Sequence, residues 1–175
     1  METRLWRGFG RVMGGVSTFC GYLTGGLIVV SATLITYEVI WRYYLARPHT
    51  WSLEVNIFLL IGATFLASPF TQFKRGHVGT EVLDVVLPKH WIPWRVVLGD
   101  VLSCAVCAFI GVSMTSYTIQ AWNEGWTTDS TWAPPLWIPY ALMAVGLWLT
   151  VLQCLIQIVD QIGQLRGGKQ GAHHE

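Results

Sequence analysis

Charge is what this sequence has least of. Its 175 residues carry 11 Lys and Arg and 10 Asp and Glu, 12% in all, where an ordinary soluble domain has about 25%. With 53% hydrophobic residues and a mean hydropathy of +0.46, too little polar chain is left to cover a water-facing globule. Runs that alternate apolar and polar residues are missing as well, which excludes the strands of a membrane barrel. No GxxxxGK[ST] loop is present to cradle nucleotide phosphates, so ATP is not expected to be used by this chain. His49, His77, His90, His173 and His174 all lie outside the apolar runs, where they cannot clamp a buried haem from facing helices.

What is present is a set of four long charge-free stretches: Val12 to Tyr37, Val55 to Phe73, Val101 to Asn123 and Ser130 to Val159. Each can hold the roughly 20 helical residues needed to cross about 30 Å of hydrocarbon. Because the backbone must satisfy its own hydrogen bonds in lipid, continuous apolar runs of this length predict helices. The expected fold is therefore an all-α integral membrane protein. Its four transmembrane helices fall at about 14–44, 52–73, 95–122 and 133–160, within a single membrane domain covering 1–175. The first stretch follows Arg4, Arg7 and Arg11 like a secretory leader, but it exceeds the 7 to 15 apolar residues typical of one and is expected to remain as an anchor.

Orientation follows from where the positive charges fall. Arg4, Arg7 and Arg11 precede the first helix, Lys74, Arg75, Lys89 and Arg95 lie between the second and third, and Arg166 and Lys169 follow the fourth. On the other side stand Arg42 and Arg47 alone. Nine against two predicts both termini and the middle connection in the cytoplasm. Trp41, Trp51, Trp91, Trp94, Trp122, Trp126, Trp132 and Trp137 cluster near helix ends as an interfacial belt would, and only Trp148 falls deep within a span.

The middle connection carries a second pattern. Over residues 77–88, helical spacing gathers His77, Glu81 and Asp84 on one face and spreads Val82, Val85, Val86 and Leu87 over the other, with Pro88 and Pro93 ending the segment. This predicts a short amphipathic helix lying on the membrane surface. An imidazole and two carboxylates on one face could also be read as metal ligands, but a solvated polar face accounts equally for the neighbouring Lys and Arg, and no metal or other cofactor is expected.

Ionisable residues near the bilayer centre mark a solute or ion pathway, and the spans lack them. Glu38 lies toward the outer end of the first helix, one turn from Arg42, and Glu54 opens the second. Small residues do recur every fourth position, Ser17-Gly21-Gly25 in the first helix and Ser103-Cys107-Gly111-Thr115 in the third, which predicts close helix contacts. Cys104 and Cys107 form a CxxC, which raises a second hypothesis: a quinone-linked membrane thiol oxidoreductase. That chemistry needs a reactive pair at the outer surface, yet Cys20, Cys104, Cys107 and Cys154 all fall inside spans and none in an outer connection. Small packing residues are the simpler reading, and no catalytic residue is assigned.

The order of these elements, with three local stretches, resembles the small membrane subunit of the tripartite ATP-independent periplasmic (TRAP) transporters, the DctQ family. The stretches are Arg42-Tyr43 at the end of the first helix, Trp51 to Glu54 at the start of the second, and Gly76-His77-Val78 continuing through Leu83 to Leu87-Pro88. Coverage runs from about residue 16 to residue 157, with Leu53 standing where the family has an acid and Thr80 where it has an apolar residue. The resemblance implies a division of labour. A large membrane subunit would carry the solute, an organic anion such as a carboxylate, together with a coupling cation, sodium or proton. A periplasmic solute-binding protein would deliver the solute, and this chain would be a scaffold in the bacterial inner membrane. On that reading Arg42, Trp51 and Glu54 hold an outer partner or lipid interface, and His77, Glu81 and Asp84 an inner one.

Overall fold

A computed structural model of the chain describes residues 2–45, 50–74 and 92–168. They form four long helices: α1 (Glu2–Leu45), α2 (Thr50–Phe73), α3 (Ile92–Glu124) and α4 (Trp137–Gly168). Each contains a stretch long and apolar enough to cross a membrane: Val12–Tyr44, Trp51–Phe73, Val97–Glu124 and Trp137–Gly163. The first is 33 residues long, about 50 Å at 1.5 Å per residue, so α1 must tilt or project beyond the hydrocarbon. Residues 75–91 lie outside the described residues, and with them the surface helix expected over 77–88.

Helix ends follow local chemistry. Pro93 stands in the first turn of α3, where its missing N–H costs nothing and its fixed φ suits a helix start. α3 stops at Gly125, which has φ +65°, while the Trp126 N–H reaches back 3.0 Å to the Ala121 carbonyl. That is a Schellman cap, and the left-handed φ makes glycine the natural residue there. α4 begins at Trp137, later than the expected 133, because Ala133 has φ 44° and Pro134 and Pro135 lack donors.

Across the molecule the helices stand in the order α1, α2, α4, α3, with α2 and α4 central and α1 and α3 on the flanks. Half of the apolar stretch of α4 is buried, against 6% for that of α3. The seam of α1 follows a strict alternation of three and four residues, Met13, Ser17, Cys20, Thr24, Leu27, Ser31, Leu34 and Glu38, the heptad period of left-handed helix packing. Every second member is polar and buried: Ser17, Thr24, Ser31 and Glu38. Apolar side chains such as Phe19, Ile28, Val29 and Ile40 cover the outward face instead. Water-soluble helices have the opposite distribution, but lipid is as apolar as leucine, so burial of apolar area gives no preference and hydrogen bonds with close packing decide which face turns inward.

Close approach is set by glycines. The Phe70 ring rests on Gly21, where an added Cβ would stand 2.7 Å from the ring. Between α2 and α4 the approach is tighter: a Cβ on Gly146 would meet the Phe65 carbonyl oxygen at 2.3 Å. Of the expected small-residue stripes, Gly21 and Gly111 face neighbouring helices, Gly111 lying against Leu147 and Trp148 of α4, whereas Gly25 opens on empty space. Gly146→Ala should therefore force α2 and α4 apart and cost about 1–3 kcal/mol, as overpacking does, while Gly25→Ala should stay within about 0.5 kcal/mol of the parent. Thermal unfolding of both variants in one detergent checks the contrast.

Candidate functional site

Polar side chains gather at the two ends of the helix layer. The end formed by Leu45, Thr50, Glu124 and Trp137 is termed the top, and the end holding Phe73, Ile92 and Gly168 the base. At the top, Arg42 Nη2 meets Glu38 Oε1 at 3.4 Å, one turn apart on α1 as the spacing predicts. The Glu38 side chain is buried and that of Arg42 is 54% exposed. Trp51 is partly exposed at the start of α2. Glu54, one turn further on, accepts a hydrogen bond from Thr128 Oγ1 at 3.1 Å, which ties the α3–α4 connection to α2.

That connection is itself built tightly. The Leu136 N–H donates to the Trp126 carbonyl at 2.9 Å and the Thr128 N–H to that of Pro134 at 3.2 Å, giving a short antiparallel bridge between Thr127 and Pro135. Ser130 Oγ accepts from the Ala133 N–H at 3.1 Å inside the turn. Trp122 and Trp137 pack edge to face at 4.9 Å beneath it. Among the outer residues expected from the sequence, Arg42 is thus anchored to α1 and Glu54 to the connection opposite. His77, Glu81 and Asp84, the expected inner group, lie outside the described residues.

At the base the structure assembles a cluster that sequence reasoning missed. Gln72 Nε2 of α2 donates to Gln157 Oε1 of α4 at 2.9 Å and to Asp100 Oδ1 of α3 at 3.1 Å. Gln157 Nε2 returns a bond of 2.8 Å to the Gln72 carbonyl, and Gln161 Nε2 donates to Asp100 Oδ2. Both oxygens of the one carboxylate are met by amide donors, and three helices are joined through it. Further toward the top the same principle recurs. Ser17 donates to Gln153 at 3.3 Å, the Thr150 and Ser68 hydroxyls stand 2.9 Å apart, Thr24 donates to the Ala63 carbonyl at 3.3 Å and Ser31 to Asn56. The signal was available as Gln153, Gln157 and Gln161, which repeat every four residues in a mainly apolar span and so mark one face.

Cys104 and Cys107 are half-buried on α3, and Cys107 faces a small groove between α2 and α3 along with Thr64, Ser68 and Ser103. The groove has a volume of about 230 Å3. Cys20 and Cys154 are buried between helices as small packing residues. Trp148, the one tryptophan deep in a span, spends its indole N–H on Thr115 Oγ1 at 3.1 Å, locking α4 to α3. Among the described residues no three of His, Cys, Asp and Glu converge on a point a metal ion could occupy.

The charged side chains described within the spans, Glu38, Arg42, Glu54, Asp100, Glu124 and Asp160, all stand within about two turns of a span end. The middle depth holds hydroxyls and amides, some bonded across to a neighbouring helix and others to a carbonyl of their own. This arrangement can bind helices to one another and present surfaces to partners; among the described residues no Asp, Glu, Lys or Arg stands at middle depth, where a charged path would need one.

If the base cluster holds the helices together, Gln157→Leu removes the two hydrogen bonds that link it to Gln72 and costs about 1–3 kcal/mol. Combined with Gln72→Leu in a double-mutant cycle, the pair should show a coupling of about 0.6–1.7 kcal/mol, the range for hydrogen bonds between membrane helices. Steric trapping or denaturant unfolding in micelles measures it, and strict additivity would contradict it.

Comparison with known families gives one result. The family model described as "Tripartite ATP-independent periplasmic transporters, DctQ component" matches residues 31–164. No curated protein matches, and neither does any solved structure.

Proposed function

The chain belongs to the DctQ family of TRAP transporter components, and we propose that it is the stationary small membrane subunit of a secondary transporter that imports an organic anion, a carboxylate by class, down an ion gradient. The transporter's large membrane subunit carries the solute and the coupling cation, sodium or proton, and a periplasmic solute-binding protein delivers the solute. The chain sits in the bacterial inner membrane with its base, and both termini, toward the cytoplasm. The middle connection, where His77, Glu81 and Asp84 fall, is then cytoplasmic, and the top with Arg42, Trp51 and Glu54 is periplasmic.

One observation carries this reading. Among the described residues, polar side chains at middle depth either join neighbouring helices or return to a carbonyl of their own helix, and no Asp, Glu, Lys or Arg stands among them. A subunit that moves substrate needs bistable or broken elements around a polar site near the midplane. A layer fastened at several depths and at both ends suits the fixed part against which another part moves. The flanking helices α1 and α3 also leave most of their surface uncovered, room enough for a membrane partner.

The family match lends nothing to the thiol-oxidoreductase alternative. Cys104 and Cys107 lie within the span on α3 with small polar neighbours and no outer pair to exchange with.

The direct test is affinity purification of the tagged chain in mild detergent. A multi-span membrane protein should accompany it in about equal amount, and a chain that runs alone with bound quinone would overturn the assignment. Alanine at Arg42, Trp51, Glu54, His77, Glu81 or Asp84 should weaken assembly or uptake rate while the ranking of transported solutes stays unchanged. A changed ranking would place these residues in the solute path and contradict the scaffold role.

A further inference from the structure

Between the top ends of α1 and α2 lies a cleft of about 210 Å3 that takes in Arg42 of the proposed outer interface. Its polar lining is Glu38, Arg42, Ser52 and Asn56; Ile35, Val39 and Leu53 form an apolar wall beside them. The depth of this cleft is fixed by its neighbours. Tyr37 and Trp41 stack at 5.7 Å on α1, followed by Tyr43 and Tyr44, and Trp51 opens α2. Such aromatic groups collect at the level of lipid headgroups, so the polar lining meets headgroups and the apolar wall meets acyl chains.

The polar groups are only partly engaged. Ser52 is 4% exposed, and its Oγ is buried without a hydrogen-bond partner among the described residues. Asn56 is buried and accepts from Ser31 through Oδ1. Arg42 offers five donors and spends one on Glu38 at 3.4 Å, longer than the 2.7–2.9 Å of a tight charge-assisted bond. The wall residues Ile35, Val39 and Leu53 are exposed in the chain, as a surface covered by lipid tails would be. Glu38 and Arg42 together present a carboxylate and a guanidinium to the cleft, the pair of groups that a headgroup with both an ammonium and a phosphate would match.

We propose that this cleft binds a zwitterionic aminophospholipid of the phosphatidylethanolamine class. The phosphate is taken by the Arg42 guanidinium and the Ser52 hydroxyl, the ammonium lies toward the Glu38 carboxylate, and one acyl chain runs along Ile35, Val39 and Leu53. The buried hydroxyl of Ser52 gains an acceptor, and Arg42 gains the bidentate oxygen pair that its planar fork fits. A lipid held there wedges the outer ends of α1 and α2 at a fixed separation.

The test uses the full chain reconstituted in nanodiscs with equal phosphatidylethanolamine and phosphatidylglycerol, then extracted into mild detergent for mass spectrometry of the retained lipid. Phosphatidylethanolamine should be enriched, and Arg42→Ala or Ser52→Val should reduce its retention about tenfold, the scale of one charge-assisted hydrogen bond. Leu53→Trp, which fills the cleft and leaves the charged pair intact, should reduce it as well, while Val29→Ala on the outward face of α1 should leave it unchanged. Equal retention of phosphatidylglycerol, no retained lipid, or retention unaffected by Arg42→Ala would overturn the proposal. So would displacement of the lipid by inorganic phosphate, which would make the cleft a bare anion site.

Discussion

Hydrocarbon offers no hydrogen bonds, so each polar side chain placed in it must find a partner inside the protein. The arrangement of this molecule depends on that constraint. Gln153, Gln157 and Gln161 turn the polar face of α4 inward, and from that face hydrogen bonds lead to Ser17 of α1, Gln72 of α2 and, through Asp100, to α3. α4 is the most buried helix for this reason. The heptad seam of α1 applies the same rule from the flank, placing Thr24 and Ser31 against the Ala63 carbonyl and Asn56 of α2. Glycine completes the contact where polar bonds are absent, since Gly146 admits the backbone of α2 at Phe65.

The two ends of the layer differ in what they leave available. The base is closed by a carboxylate whose oxygens both accept amide protons, which joins three helices through one residue. The top is held by the Glu54–Thr128 bond and by the bridged connection above it, yet Arg42 and Ser52 keep hydrogen-bonding capacity in a cleft at headgroup depth. A scaffold needs both features: internal bonds that resist movement, and an outward surface that lipids or partner subunits can engage. The apolar flanks of α1 and α3 supply the second over a large area at no cost in unpaired groups.

Spacing of charges was enough to read the four helices from the sequence, because a charge in hydrocarbon is costly enough to leave a gap around every span. The Glu38–Arg42 pair was legible from helical spacing alone. The packing was not. Counting charges treats glutamine as neutral, so the stripe at Gln153, Gln157 and Gln161 passed unnoticed, and Asp100, inside the helix expected over 95–122, was read only as the charge that bounds the stretch from Val101. The small-residue stripe of α1 was right at Gly21 and wrong at Gly25, since a four-residue repeat drifts off a seam that follows the heptad. Gly146 starts a similar repeat, Gly146-Thr150-Cys154, that the sequence reading did not single out, and its contact with Phe65 depends on where α2 lies, which only the three-dimensional arrangement decides. His77, Glu81 and Asp84 stay an expectation of sequence pattern.

A subunit fastened in this way should not change shape while the transporter works. Ser68 and Thr150 face each other across α2 and α4 with hydroxyls 2.9 Å apart, close enough for cysteines there to form a disulfide. The decisive measurement is solute uptake by the assembled transporter carrying Ser68→Cys and Thr150→Cys in a chain whose native cysteines are replaced, before and after oxidation. A stationary scaffold predicts equal uptake in both states. Uptake that stops on oxidation and returns on reduction would show that α2 and α4 must move against each other, and the account of this chain as a fixed partner would fail.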